Sequence, residues 1–226
     1  MAGLIVALDI ADAGQAARWA QMLAPHCGVL KLGLQFVLAQ GPAGVHGITA
    51  RPIFLDLKLH DIPNTVAGAV RSVLPLRPMM LTLHAGGGSA MIEAARRAAD
   101  TVANPPLLLG VTVLTSLDST ALHATGVAGG PRQQVLRLAR LALDAGADGL
   151  VCSAQEAPML RDAFGSRPVL VVPGIRPDGA PADDQARTVT PRDAVAAGAD
   201  WIVVGRPITG STDPSAAAAA IAAELA

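Results

Sequence analysis

Tyrosine is absent from the 226 residues, and only three phenylalanines and two tryptophans are present. So few flat side chains leave little with which to stack bases. Positive charge is not gathered either, since the formal net charge is -1 and the chain has no basic block. These absences argue against a nucleic-acid-binding surface. No apolar run reaches the roughly 18–20 residues that a membrane helix needs. Asp9 interrupts the first such run, so neither a membrane span nor a signal peptide is expected. The alanine tract 216–220 is short and reads as a terminal helix. Cysteine is scarce: Cys27 and Cys152 have neither disulfide nor metal-ligand spacing, which predicts buried thiols in a reducing, cytoplasmic setting.

Lysine is scarcer than the charge balance suggests. Of 17 basic side chains, all but Lys31 and Lys58 are arginine, and these two sit inside apolar, strand-like runs. Arginine does not readily lose its proton, whereas lysine is a compact donor whose pKa responds to its surroundings. A chain that uses arginine wherever a positive charge will serve, yet lysine at two buried positions, points to chemistry that needs an ammonium. The structural reading of the same residues is buried ion pairing with Asp9, Asp56 or Asp61.

The stretch 54–65, FLDLKLHDIPNT, gathers most of these groups. At a strand period of two, Ile53, Leu55, Leu57 and Leu59 share an aliphatic face, while Phe54, Asp56, Lys58 and His60 share the other. Burying a carboxylate and an ammonium costs several kcal/mol per ion, to order of magnitude, unless geometry or function compensates. Asp61 adds a second carboxylate and Pro63 stops the strand. The stretch therefore reads as an active site built on a rigid element.

Eight strand-like segments alternate with helical ones along the chain. Asp12 caps the first helix, Pro131 opens a later one, and Asp213 with Pro214 starts the last. Such alternation implies parallel pairing. Eight units in this length predict a (β/α)₈ TIM barrel, one domain over residues 1–226. An open doubly wound sheet is the alternative, but the first loop lacks the glycine pattern of a dinucleotide site. In a barrel the active site lies at the C-terminal ends of the strands. Asp9, Lys31, Asp56, Lys58, His84 and Thr115 all fall there. His60 and His84 read as structural, and Thr115 would equally serve as a strand cap. Phosphate in such barrels is held by the loops after strands seven and eight, which here carry Arg176 and Gly205-Arg206. Surface ion pairing is the plainer role for Arg206. A polar loop over 177–187 is expected to be mobile and to bring Gln185 onto a ligand.

Together with VALD (6–9), LKLG (30–33), VTVLTS (111–116), VCSAQEA (151–157), PGIRP (173–177) and GRPIT (205–209), the 54–65 stretch resembles the orotidine 5′-phosphate decarboxylase family of the bacterial type. The resemblance covers essentially the whole chain and carries an Asp-x-Lys-x-x-Asp signature at Asp56, Lys58 and Asp61. It implies decarboxylation of orotidine 5′-phosphate to uridine 5′-phosphate without metal or cofactor. It also implies roles. Lys31, Asp56, Lys58 and Asp61 would form an alternating charge array, with Lys58 protonating C6. Asp9 and Lys31 would hold the ribose, Thr115 the pyrimidine, and Gln185, Gly205 and Arg206 the phosphate. Arg176 is also a ligand-binding position in the family. Asp61 and Thr65 would reach into the other subunit's site, so a homodimer with shared sites is implied. Two alternatives stay open. One is a magnesium-dependent sugar-phosphate lyase or epimerase, whose relatives bind metal through the first Asp of the signature and a strand-two Glu, where this chain has Lys31. The other is a non-catalytic nucleotide-phosphate sensor.

Overall fold

The computed structural model describes residues 2–177 and 189–225. Its strands are β1 (Gly3–Ala7), β2 (Val29–Gly33), β3 (Ile53–Leu59), β4 (Met80–His84), β5 (Leu107–Val111), β6 (Gly149–Val151), β7 (Val169–Val172) and β8 (Trp201–Val204). Each pairs in parallel with the next, and β8 pairs with β1 through Gly3 opposite Trp201, so the sheet closes into the eight-stranded barrel that the sequence predicts. Helices connect the strands and follow the last one: α1 (Ala13–Leu23), α2 (Leu34–His46), α3 (Pro63–Val73), α4 (Ser89–Ala99), α5 (Ser119–Ala124), α6 (Pro131–Asp144), α7 (Ala157–Phe164), α8 (Pro191–Ala196), α9 (Arg206–Thr209) and α10 (Pro214–Ala223).

Period-two alternation divides the apolar residues into two layers. Ile5, Val29, Phe54, Met80, Leu109 and Val171 form a cluster of strand residues alone, which fills the barrel. Their neighbours in sequence, such as Val6, Leu30, Leu55 and Leu81, belong to the larger cluster shared with helix residues such as Phe36, Val66 and Met91. A fully buried side chain of this size contributes about 1.5–3 kcal/mol through burial.

Local signals set most of the boundaries. Asp12 accepts the Gln15 N–H at 2.6 Å and caps α1, and Asp213 accepts the Ala216 N–H at 2.9 Å and caps α10. Other boundaries differ from the pattern. β5 ends at Val111, short of Thr115. The connection between β5 and α6 contains α5, capped by Asp118 through the Ala121 N–H. Helix α2 is two helical stretches joined at a kink: Gly41, with φ 60° and ψ -166°, breaks the first, and the second runs on from Pro42 to His46. Helix α3 starts at Pro63, ahead of Asn64 and Thr65, because proline needs no hydrogen-bond partner in a first turn.

Candidate active site

The C-terminal ends of the strands surround a cleft of about 530 Å³, a size suited to a small-molecule ligand. Asp9, Lys31, Asp56, Lys58, Thr115, Arg176, Gly205 and Arg206 all line it. Seven strands or the loops directly after them contribute: β1, β2, β3, β5, β6 (through Val151 and Cys152), β7 and β8.

The charges in the cleft form a chain of alternating sign. Lys31 Nζ lies 3.1 Å from Asp9 Oδ1 and 3.3 Å from Asp56 Oδ2, and Lys58 Nζ lies 2.8 Å from Asp56 Oδ1. Asp56 thus stands between two ammonium groups, each on a different oxygen. Burial would favour its neutral form, but Lys31, then Lys58, with hydrogen bonds from Lys58 and Thr82, outweigh burial and lower its pKa below 3.8. Burial likewise disfavours the Lys31 cation, and Asp56 and Asp9 overcome it, so its pKa rises above 10.5. Both groups are charged at neutral pH. The array leaves room for little else: a Cβ at Gly33 would come within 3.2 Å of Asp9 Oδ1 and 3.4 Å of Lys31 Nζ.

Alternation puts Lys58 on the face of β3 that carries Phe54 and Asp56, but the strand is not regular at this point. The register of β3 on β4 shifts, Leu55 facing Leu81 and Leu59 facing Leu83, so three residues of β3 stand where β4 has Thr82 alone. Within this bulge Lys58 takes φ 48°, the left-handed region. A non-glycine residue there costs about 1–2 kcal/mol. Such strain at a cleft-lining residue is common where geometry serves function. Sequence reasoning missed Thr82, which is fully buried and bonded to both Asp56 and the Lys58 backbone. A hydroxyl inside an otherwise aliphatic strand, Met-Leu-Thr-Leu, was the available signal.

The remaining sequence-predicted residues lie elsewhere. Asp61 and Thr65 are exposed and do not line the cleft, and Asp61 accepts the Ile62 N–H at 2.6 Å. Gln185 and the polar loop around it fall outside the described residues. His60 and His84 stack with ring centroids 4.9 Å apart. Burial, then His60 and Lys58, lower the His84 pKa below 6.5, so its ring is neutral at pH 7. Its Nδ1 accepts the Gly86 N–H at 3.2 Å. Cys152 lines the cleft but is buried, and burial first of all raises its thiol pKa, so it is no nucleophile at neutral pH.

Comparison with known proteins agrees with the closed barrel and gives its family. The chain is 54% identical over 228 residues to orotidine 5′-phosphate decarboxylase of Gluconobacter oxydans (strain 621H), covering 99% of this chain and 97% of that protein. It is also 54% identical over 227 residues to the protein of the same name from Thermobifida fusca (strain YX), covering 99% of this chain and 96% of the other. Among solved structures, orotidine 5′-phosphate decarboxylase from Lactobacillus acidophilus superimposes with a TM-score of 0.88 at 36% identity, over 100% of this chain and 99% of that one. Residues 2–221 match the model of the orotidine 5′-phosphate decarboxylase / HUMPS family, and the chain belongs to that family.

Proposed function

We propose that this protein is a carboxy-lyase that converts orotidine 5′-phosphate to uridine 5′-phosphate, the last step in making that pyrimidine nucleotide. The observation that carries the reading is the ordered array Asp9–Lys31–Asp56–Lys58 in the cleft, with the Lys58 ammonium 2.8 Å from Asp56. Loss of carbon dioxide breaks the bond between C6 and the carboxylate carbon, and the electron pair stays on C6. A fixed ammonium beside that carbon stabilises the developing charge without reorganising. Lys58 then gives its proton to C6. Asp56 holds Lys58 in place and lies beside the departing carboxylate. Asp9 and Lys31 hold the ribose hydroxyls and Thr115 the pyrimidine. Arg206, the Gly205 backbone, Arg176 and Gln185 take the phosphate side, where binding energy remote from C6 orders the site.

Asp61 and Thr65 complete the site of a second copy in this reading, so the working enzyme is a homodimer. Their exposure just beyond the C-terminal end of β3 supports it, together with Ile62 between them, 67% exposed although apolar. A cytoplasmic setting fits two buried free thiols and described helices none of which is long and apolar enough to cross a membrane. The magnesium-dependent lyase or epimerase is disfavoured by Lys31, whose ammonium occupies the space beside Asp56 that a divalent cation would need.

Loss of the orotate chromophore on adding orotidine 5′-phosphate to the purified protein in excess chelator, with uridine 5′-phosphate as product, is the expected result. A folded protein that binds the nucleotide without turnover, or one that stops working in chelator, overturns the proposal. For the shared site, mixing Lys58→Ala and Asp61→Ala variants restores activity as subunits exchange. No recovery after demonstrated exchange sinks the dimeric site.

A further inference from the structure

Thr82 sits on β4 with no exposed surface, inside the barrel, and its hydroxyl makes two directed bonds. Its Oγ accepts the Lys58 backbone N–H at 2.9 Å and donates its own proton to Asp56 Oδ1 at 3.0 Å. The direction of both bonds is fixed: a backbone N–H only donates and an ionised carboxylate only accepts. The same Asp56 oxygen receives the Lys58 Nζ at 2.8 Å. Lys58 is therefore held at both ends, main chain and ammonium, by two groups that are bonded to each other.

The bulge explains why a hydroxyl is needed at this position. Where β3 places three residues opposite Thr82 alone, the ladder between the strands is interrupted and the Lys58 N–H loses its regular strand partner. A buried N–H without an acceptor is costly, and the Thr82 oxygen supplies one. Valine has nearly the shape of threonine and would suit the apolar residues beside it on the strand, Leu81 and Leu83. It would leave the N–H orphaned and take a hydrogen bond from Asp56.

We propose that Thr82 is a positioning residue for the decarboxylation: its hydroxyl clamps the left-handed backbone of Lys58 and the carboxylate of Asp56 at one separation, so that the ammonium meets the reacting carbon in a single pose. The inference rests on the function proposed above, with Lys58 as proton donor. Thr82 itself lies outside the cleft lining.

The test compares Thr82→Val, Thr82→Ser and Thr82→Ala with the native chain in turnover of orotidine 5′-phosphate. Thr82→Val is expected to lower kcat about 10- to 100-fold, the scale of a misplaced catalytic group. Its KM should stay within about threefold, because ground-state binding is untouched. Thr82→Ser keeps the hydroxyl and is expected to retain kcat within about threefold of native. The acid limb of the kcat profile should move to higher pH in Thr82→Val, since Asp56 loses a bond to its ionised form. Native kcat in Thr82→Val, or equal damage in Thr82→Val and Thr82→Ser, overturns the proposal. If Thr82→Val does not fold, Thr82→Ser must exceed Thr82→Ala in kcat by at least about tenfold; equal rates overturn it. A native chain that fails to turn over the nucleotide instead overturns the function, a separate result.

Discussion

At the N-terminal end of the barrel the carboxylates face arginine; at the C-terminal end they face lysine. Two copies of one local sequence, Ala145-Gly146-Ala147-Asp148 and Ala197-Gly198-Ala199-Asp200, lead into β6 and β8. In the first, Asp148 accepts the Leu108 N–H at 2.8 Å and Arg96 at 2.9 Å. In the second, Asp200 accepts the Leu170 N–H at 2.7 Å and Arg161 at 2.6 Å. Gly146 and Gly198 have φ 96° and 102°, and their missing Cβ atoms leave space for the stems of Arg96 and Arg161. Arg161 also donates to the carbonyls of Gly198, Gly165 and Pro168, so its guanidinium joins four acceptors from the two turns that lead into β7 and β8.

The difference teaches what each cation is for. At the N-terminal end the charge is permanent and its bonds tie helices to the starts of strands, work suited to a rigid fork. Left-handed backbone there falls at Gly146 and Gly198 and, among non-glycine residues, at the exposed Arg77, φ 49°, in the turn before β4. At the C-terminal end the cations are compact, one carries backbone strain at φ 48°, and its ammonium is partly open to the cleft. In a barrel the first end bears on stability and the second on catalysis.

The sharpest way to break this contrast is Lys58→Ala. It is expected to lower kcat at least about 10³-fold, since charge stabilisation and proton donation are lost together. Its thermal unfolding should stay near native, and a collapse in stability instead of rate would place Lys58 with the structural ion pairs. At the opposite end, Asp200→Ala should cost about 1.5–3 kcal/mol of stability through lost charged hydrogen bonds. Its kcat per folded molecule should be native, as read by urea unfolding beside turnover. Gly28→Ala sharpens the same comparison: the new Cβ would come within 2.9 Å of the Trp201 ring that closes this end. Overpacking of that kind costs about 1–3 kcal/mol, again without a change in kcat.

The smallest expected effect is a pH signature. Asp56 has a folded pKa below 3.8, so its stabilising contribution is present above that value and lost as pH falls through the lower folded value. Lys31 has a folded pKa above 10.5, so its contribution is present below that value and lost as pH rises through the higher one. The stability difference between native and Asp56→Asn protein should therefore be flat from about pH 5 to 9 and shrink in acid. Denaturant titrations at several pH values check this, and a slope inside that window would show that the array titrates as the enzyme works.

Most of the cleft was legible in sequence because the barrel puts function at strand ends. Asp9, Lys31, Asp56 and Lys58 follow aliphatic runs, and Arg176 and Gly205-Arg206 follow the last two strands, so a one-dimensional pattern locates them. Thr115 was legible as polar, yet it lines the cleft from a turn beyond a strand that ends at Val111. Thr82 was not legible, because its importance depends on what stands opposite it in β3. Asp148 and Asp200 look in sequence like any surface aspartate after a helix. Only the paths of β5 and β7 bring strand-start N–H groups to them.

The sequence by itself determined the alternation of strands and helices, the caps at Asp12 and Asp213, the two apolar layers, and the scarcity of lysine that marks Lys31 and Lys58. These are matters of period, local hydrogen bonding and composition, which need no long-range contact. Tertiary structure alone decided the bulge that gives Lys58 its left-handed backbone, the Thr82 hydroxyl that holds it, and which carboxylates meet lysine and which meet arginine. Those depend on the register between strands distant in sequence, fixed only when the barrel closes and its two apolar layers pack at once.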